Sequence, residues 1–164
     1  MKDESNLGSY NGDSFDTKNI ILKCIDNNPG IRFRELLRSS GLAHGSLEYN
    51  LMILERTHKV KVERQDGMRS GFYLIGTPAD DSQVLGHVRN IHRRQIVLFI
   101  LEHEVCTFGE MLVYITLSWH LKRLCDAGII SVIYRQKCQL YRIANSKLVS
   151  YVLSKYGQSL RQNC

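Results

Sequence analysis

The chain has 164 residues, 43% of them hydrophobic and 23% charged, with 2 prolines and a formal net charge of +6. Such a composition belongs to a folded protein, and the length allows one medium domain or two small ones. The longest apolar run, Ile96 to Leu101, has six residues, far short of the roughly 20 that a bilayer span needs, which excludes a membrane span, and no membrane partner is expected.

The opening segment 1–16 is polar and acidic and lacks the apolar core of a signal peptide, so a cytoplasmic location is expected. It carries a net charge of −3, which leaves +9 on the remainder. The leader is expected to be disordered, and the basic body to attract polyanions. Asp16 or Thr17 can cap a first helix that runs to Asn28, with Ile20, Ile21, Cys24 and Ile25 on one face. Pro29-Gly30 stops it. A second helix from about Arg32 turns Phe33, Leu36 and Leu37 inward, and Gly41 closes it. The third begins between Ala43 and Ser46 and repeats Leu47, Leu51 and Leu54 at helical spacing. That face belongs to the core, which puts His44, Ser46, Tyr49, Asn50 and Met52 on or near the outer face. Beyond His58 the pattern alternates, Val60 and Val62 against Lys61 and Glu63. After Asp66-Gly67 comes Phe72-Tyr73-Leu74-Ile75, so a β-hairpin is expected with Arg64 and Arg69 near its tip.

Segment 77–86 reads as a linker. A long helix is predicted over about Ser82 to Glu104, followed by two further helices within Thr107 to Ala127. A second hairpin spans Ile129 to Tyr134 and Cys138 to Ile143, turning through Arg135-Gln136-Lys137 without a glycine. Ser146 to about Leu160 is an amphipathic tail helix.

The two halves repeat one another. Tyr49, Asn50, Leu51 and Leu54 correspond to Trp119, His120, Leu121 and Leu124 at an offset of 70, whereas Phe33 and Glu35 correspond to Phe108 and Glu110 at an offset of 75. Five residues are therefore missing from the second copy between its second and third helices, where a helix-turn-helix places its turn and the start of its recognition helix. A truncated reading head is expected there. The fold class is mainly α with small hairpin wings: two tandem winged helix-turn-helix domains at 17–76 and 87–144, plus a C-terminal helix and tail at 145–164. In a basic chain this order points to double-stranded DNA.

The stretches Asn28-Pro29-Gly30-Ile31-Arg32-Phe33-Arg34-Glu35-Leu36, Gly45-Ser46-Leu47-Glu48-Tyr49-Asn50-Leu51 and Trp119-His120-Leu121-Lys122-Arg123-Leu124, with Ala127-Gly128-Ile129-Ile130, resemble archaeal tandem winged-helix transcriptional regulators of the ArsR and MarR groups. The resemblance covers about residues 18 to 157. It implies DNA binding, often as a homodimer, and regulation of transcription.

By position, Ala43, His44, Ser46 and Tyr49 form the face offered to base edges and phosphates, the less favoured alternative being that Ser46 is a helix cap and His44 a solvated loop residue. Arg32, Arg34 and Arg38 on the second helix, with Lys59, Lys61, Arg64 and Arg69 around the hairpin, suit phosphate better than bases. In the second unit, Arg93, Arg94, Thr116, Ser118, Lys122, Arg123, Arg135 and Lys137 are candidates for further backbone contact. They can equally surround an interface anchored by Trp119, although a tryptophan in mid-helix is more often core. The odd number of scattered cysteines argues for reduced thiols, and His103-x-x-Cys106 offers two ligands where zinc wants three or four, so neither a metal nor a cofactor is expected. No phosphate loop, nucleophile elbow or HExxH motif is present, and the reading is of a non-enzyme. No small-molecule effector is identifiable from these residues. The rival to the DNA reading is a winged-helix module that binds protein.

Overall fold

The computed structural model describes the backbone of residues 10–65, 69–111, 117–136 and 138–161, and the side chains of these except 10–15, 65, 69, 117 and 161. It is mainly helical with two small antiparallel sheets, and it divides into two compact units, residues 1–77 and 78–164.

The first unit contains α1 (Tyr10–Asn27), α2 (Phe33–Ser40), α3 (His44–Arg56), β1 (Val60–Gln65) and β2 (Arg69–Leu74). Helix α1 starts at Tyr10, well before the Asp16 or Thr17 cap expected for it, so part of the acidic leader is helical. It ends where Pro29 cannot continue a helix and Gly30 takes a φ of +79°. The chain then docks on the hairpin: Gly30 N–H donates to Phe72 O at 2.8 Å, and Phe72 N–H donates to Ile31 O at 3.0 Å. Helix α2 closes on Gly41 in the left-handed conformation, as expected for a glycine C-cap. The strands pair in register from Val60 with Leu74 to Gln65 with Arg69. Ile21, Ile25, Ile31, Leu36, Leu47, Leu51, Leu54, Val60 and Phe72 make one buried cluster. Each such side chain contributes roughly 1.5–3 kcal/mol by leaving water, and together they fix α3 with its leucine face inward.

The second unit contains α4 (Ala79–Val88), α5 (Ile91–His103), β3 (Cys106–Thr107), α6 (Phe108–Met111), α7 (Leu117–Asp126), β4 (Ile130–Arg135), β5 (Cys138–Ile143) and α8 (Ser146–Arg161). Two expectations are corrected here. The segment 77–86 is not an irregular linker, because it holds most of α4, whose Val84, Leu85 and Val88 are buried. The single helix expected over Ser82 to Glu104 is two helices, broken at Arg89-Asn90, where the Asn90 side chain accepts the Arg93 N–H at 3.1 Å and caps α5. A residue that looked like a polar position in mid-helix is an N-cap.

Strands run in the order β3-β5-β4. The β4–β5 ladder ends with Arg135 opposite Cys138, and Gln136, a non-glycine residue, takes a φ of +47°. Two local devices recur between the units. Cys106 pairs with Tyr141 as Ile31 pairs with Phe72. Glu110 accepts the N–H of Thr107 as Glu35 accepts the N–H of Arg32, each three residues back. The offset of 75 seen in the sequence thus reappears as the same capping geometry.

Candidate nucleic-acid interface

Helix α3 emerges from Gly41 through an extended Ala43, which is its N-cap residue and makes no side-chain cap bond. The helix begins at His44, so Ser46 lies inside it and is not a cap. Leu47, Asn50, Leu51 and Leu54 are buried, whereas Ala43, His44, Gly45, Ser46, Glu48, Tyr49 and Met52 are exposed. Tyr49, at 59% exposure, is the largest side chain on this outer face. Asn50 corrects its expected outward position: it is 6% exposed, and its Nδ2 donates to the Ser46 carbonyl at 2.8 Å. Its place in the sequence, one residue before Leu51, puts it at the edge of the leucine stripe, and the local bond back along the helix lets a polar side chain stay there.

His44 is held from two sides. Its ring centroid lies 5.0 Å from that of Phe33 on α2, and its Nδ1 stands 3.8 Å from Glu48 Oε2. The pair is solvent-exposed and contributes little to stability, but the aromatic contact ties the start of α3 to α2. The outer face is not strongly basic, since it also carries Glu48 and Glu55.

Positive charge comes from the flanks. Arg34 and Arg38 are exposed on α2, with Arg32 half-buried ahead of them. Lys59 is exposed before β1, and Arg64 is exposed opposite Ser70 near the hairpin end. Lys61 is engaged within the hairpin, where its Nζ lies 2.9 Å from Glu63 Oε1 and 5.7 Å from the Tyr73 ring centroid. Arg69 closes the ladder opposite Gln65, and its side chain is outside the described residues.

In the second unit the candidates separate. Arg93 is 1% exposed, and its Nη1 lies 3.0 Å from His87 Nδ1. It is a core residue that cannot reach a phosphate, which corrects its inclusion among the backbone-contact candidates. Arg94 Nη1 donates to the Leu160 carbonyl at 2.9 Å, near the end of α8, so it serves that helix. Ser118, Lys122 and Arg135 are exposed and Arg123 is half-buried, while Thr116 and Lys137 lie outside the described residues. Trp119 is 51% exposed rather than in the core. Arg123 sits over its ring at 5.2 Å, and His120, buried beneath, meets it edge-on at 4.9 Å. At the position matched by Tyr49 in the first unit, an aromatic side chain again faces outward.

No group of three or more histidine, cysteine or acidic side chains that could hold a metal occurs among the described residues, and no helix among them is long and apolar enough to cross a membrane. Sequence reasoning missed one feature. Arg32, Arg34 and Arg38 do not simply project into solvent but line an open groove of about 680 Å³ together with Phe33, Ser70 and Phe72. The Ile31–Phe72 bridge brings the two segments together, and only that long-range pairing, absent from any local pattern, reveals the groove. No family model matches the chain, and no curated protein matches it.

Proposed function

We propose that the chain is a double-stranded DNA-binding regulator of transcription, built of two tandem winged helix-turn-helix units, whose N-terminal unit reads the major groove. The outer face of α3 carries the reading. The helix follows a left-handed glycine turn, its leucines are packed inward, and its first turns offer His44, Ser46 and Tyr49 to solvent. A recognition helix must be held in that way to enter a groove by its N-terminal end. Arg34, Arg38 and Arg64 supply exposed guanidinium groups on the flanks, suited to backbone phosphates. In this reading the second unit and α8 support a homodimer or further backbone contact, and two N-terminal units engage half-sites about 34 Å apart or a multiple of that. Nothing in the reading calls for catalysis.

The test is fluorescence-polarisation binding to a pool of host promoter fragments against random duplex at two salt concentrations, with sequencing of what is retained. Enrichment of paired half-sites is the expected result. Weak binding erased by salt, without enrichment, overturns it. One observation favours a second reading for the C-terminal unit, that it docks protein: Trp119 is half-exposed beneath Arg123, and tryptophan and arginine are the side chains most often dominant in protein interfaces. Trp119→Ala should then abolish self-association in light scattering while leaving duplex affinity per N-terminal unit intact.

A further inference from the structure

The groove between α2 and β2 has more chemistry than a seat for a DNA backbone requires. Its volume, about 680 Å³, falls within the range of roughly 300–1,000 Å³ typical of small-molecule sites. Three guanidinium groups line it, from Arg32, Arg34 and Arg38, and none of them is ion-paired among the described residues. Among the described residues the only carboxylate in the lining is Glu35, whose Oε2 accepts the Arg32 backbone N–H at 3.3 Å. Such a cluster matches a group bearing two negative charges better than a single carboxylate, because the three terminal oxygens of a phosphate monoester let two planar guanidinium groups bind in bidentate fashion at once, sharing one oxygen. Phe33 from α2, half-buried, adds apolar surface beside the charge, and Ser70 with the edge of the buried Phe72 completes the lining from β2. A duplex backbone presents a puckered sugar and phosphate there, not a planar aromatic ring, and leaves the Phe33 face unused.

We infer that this groove binds a small ligand consisting of a planar ring that carries a phosphate monoester, the ring against Phe33 and the phosphate held by Arg34 and Arg38. Because the same arginines serve as phosphate clamps in the DNA reading proposed above, the consequence for regulation rests on that reading: ligand and duplex compete, and occupancy of the groove releases DNA. The binding itself does not depend on it.

The experiment is isothermal titration of the full chain with phenyl phosphate, inorganic phosphate and phenol. Phenyl phosphate should bind with one-to-one stoichiometry at least about tenfold more tightly than inorganic phosphate, and phenol should give no measurable heat. The double variant Arg34→Gln/Arg38→Gln, at two exposed positions, should lose at least about tenfold in phenyl phosphate affinity with an unchanged circular dichroism spectrum and melting curve. Equal affinity for phenyl phosphate and inorganic phosphate, or an unaffected double variant, overturns the inference. A labelled duplex titrated in parallel separates the two readings. Duplex binding without phenyl phosphate binding removes the ligand site and leaves the DNA reading standing, and the reverse removes the DNA reading and leaves the site. Duplex binding undiminished at saturating phenyl phosphate overturns the competition.

Discussion

A Cβ on Gly30 would stand 2.7 Å from the phenolic oxygen of Tyr73. The Tyr73 ring is 1% exposed and cannot swing away easily, since it lies close to the backbone at both Gly30 and Gly71. Gly30 also holds a φ of +79°, which side chains rarely adopt. Gly30→Ala is therefore expected to cost about 1–2 kcal/mol for the left-handed backbone and a further ~1–3 kcal/mol for overpacking. Urea unfolding should show it as a lower midpoint. In Gly30→Ala/Tyr73→Phe the closest clash is gone, so part of the packing loss should return and the backbone part should not. Full recovery would show that the φ value carries no strain.

The docking of α8 on α4 rests on a carboxylate that is nearly inaccessible. Asp81 Oδ2 accepts from Lys155 Nζ at 3.1 Å and from Tyr156 Oη at 3.0 Å, and its side chain is 4% exposed. Asp81→Asn should destabilise the second unit by about 1–3 kcal/mol, because the amide weakens both bonds and stays buried. Hydrogen bonding with Tyr156, Tyr151 and Asp81 lifts the Lys155 ammonium well above its ordinary 10.5. Burial lifts the Tyr156 phenol above 10.0, with the bond to Asp81 adding to the rise and Lys155 opposing it. Both folded values exceed the unfolded ones, so the folded unit retains protons that the unfolded chain has already lost. Its stability is complete below about pH 10 and falls as pH rises through the folded values. Thermal melts should hold level from pH 8 to about 10 and slope downward above that, less steeply in Asp81→Asn.

The leucine spacing of α3, the glycine after α2 and the alternation of β1 are local signals, and the helix, its cap and the hairpin stand where those signals put them. The offset of 75 between Glu35 and Glu110 was legible for the same reason, since a cap depends on a residue only three positions away. What the sequence hid was set by tertiary packing. Nothing near Arg93 announces that a guanidinium at the start of α5 will turn inward to His87. Nothing near Trp119 shows that its side of α7 stays uncovered. The groove joins residues 32–38 to 70–72, and the Ile31–Phe72 pairing that builds it has no local pattern. The Arg89-Asn90 break was visible in principle, because asparagine is a strong N-cap, but apolar periodicity on both sides outweighed it.

The thiols divide by burial. Cys106 is 2% exposed, and burial, with the Glu110 charge adding to it, pushes its thiol up to about 11. Cys125 is raised as well, by burial and then by Asp126, whereas Cys138 is exposed at the β4–β5 turn. Only thiolate reacts with alkylating reagents. At pH 8, iodoacetamide should label Cys138 at least roughly a hundredfold faster than Cys106, as measured by peptide mass mapping, and urea should erase the difference. Comparable rates in the folded protein would contradict the buried place of Cys106 beside β5.

Arg64 and Arg93 carry the same group and should fail in opposite ways when it is removed. Arg64 is exposed near the end of the first hairpin, and Arg93 is enclosed in the second unit with Nη1 3.0 Å from His87 Nδ1. Arg64→Ala leaves no cavity, so its melting temperature should hold. If Arg64 meets a phosphate, duplex affinity should fall for every sequence and the slope of log affinity against log salt should shrink by about 1. Arg93→Ala empties a core position and strips His87 of a partner, at a cost of about 2–5 kcal/mol by analogy with other large-to-small core changes. The salt slope of whatever protein remains folded should match that of the unaltered chain, because a guanidinium sealed from water displaces no counterions. Urea unfolding alongside duplex titration at four salt concentrations measures both quantities on each variant. A smaller salt slope in Arg93→Ala would place that guanidinium on DNA after all, and a melting loss in Arg64→Ala would make it a fastener of the hairpin.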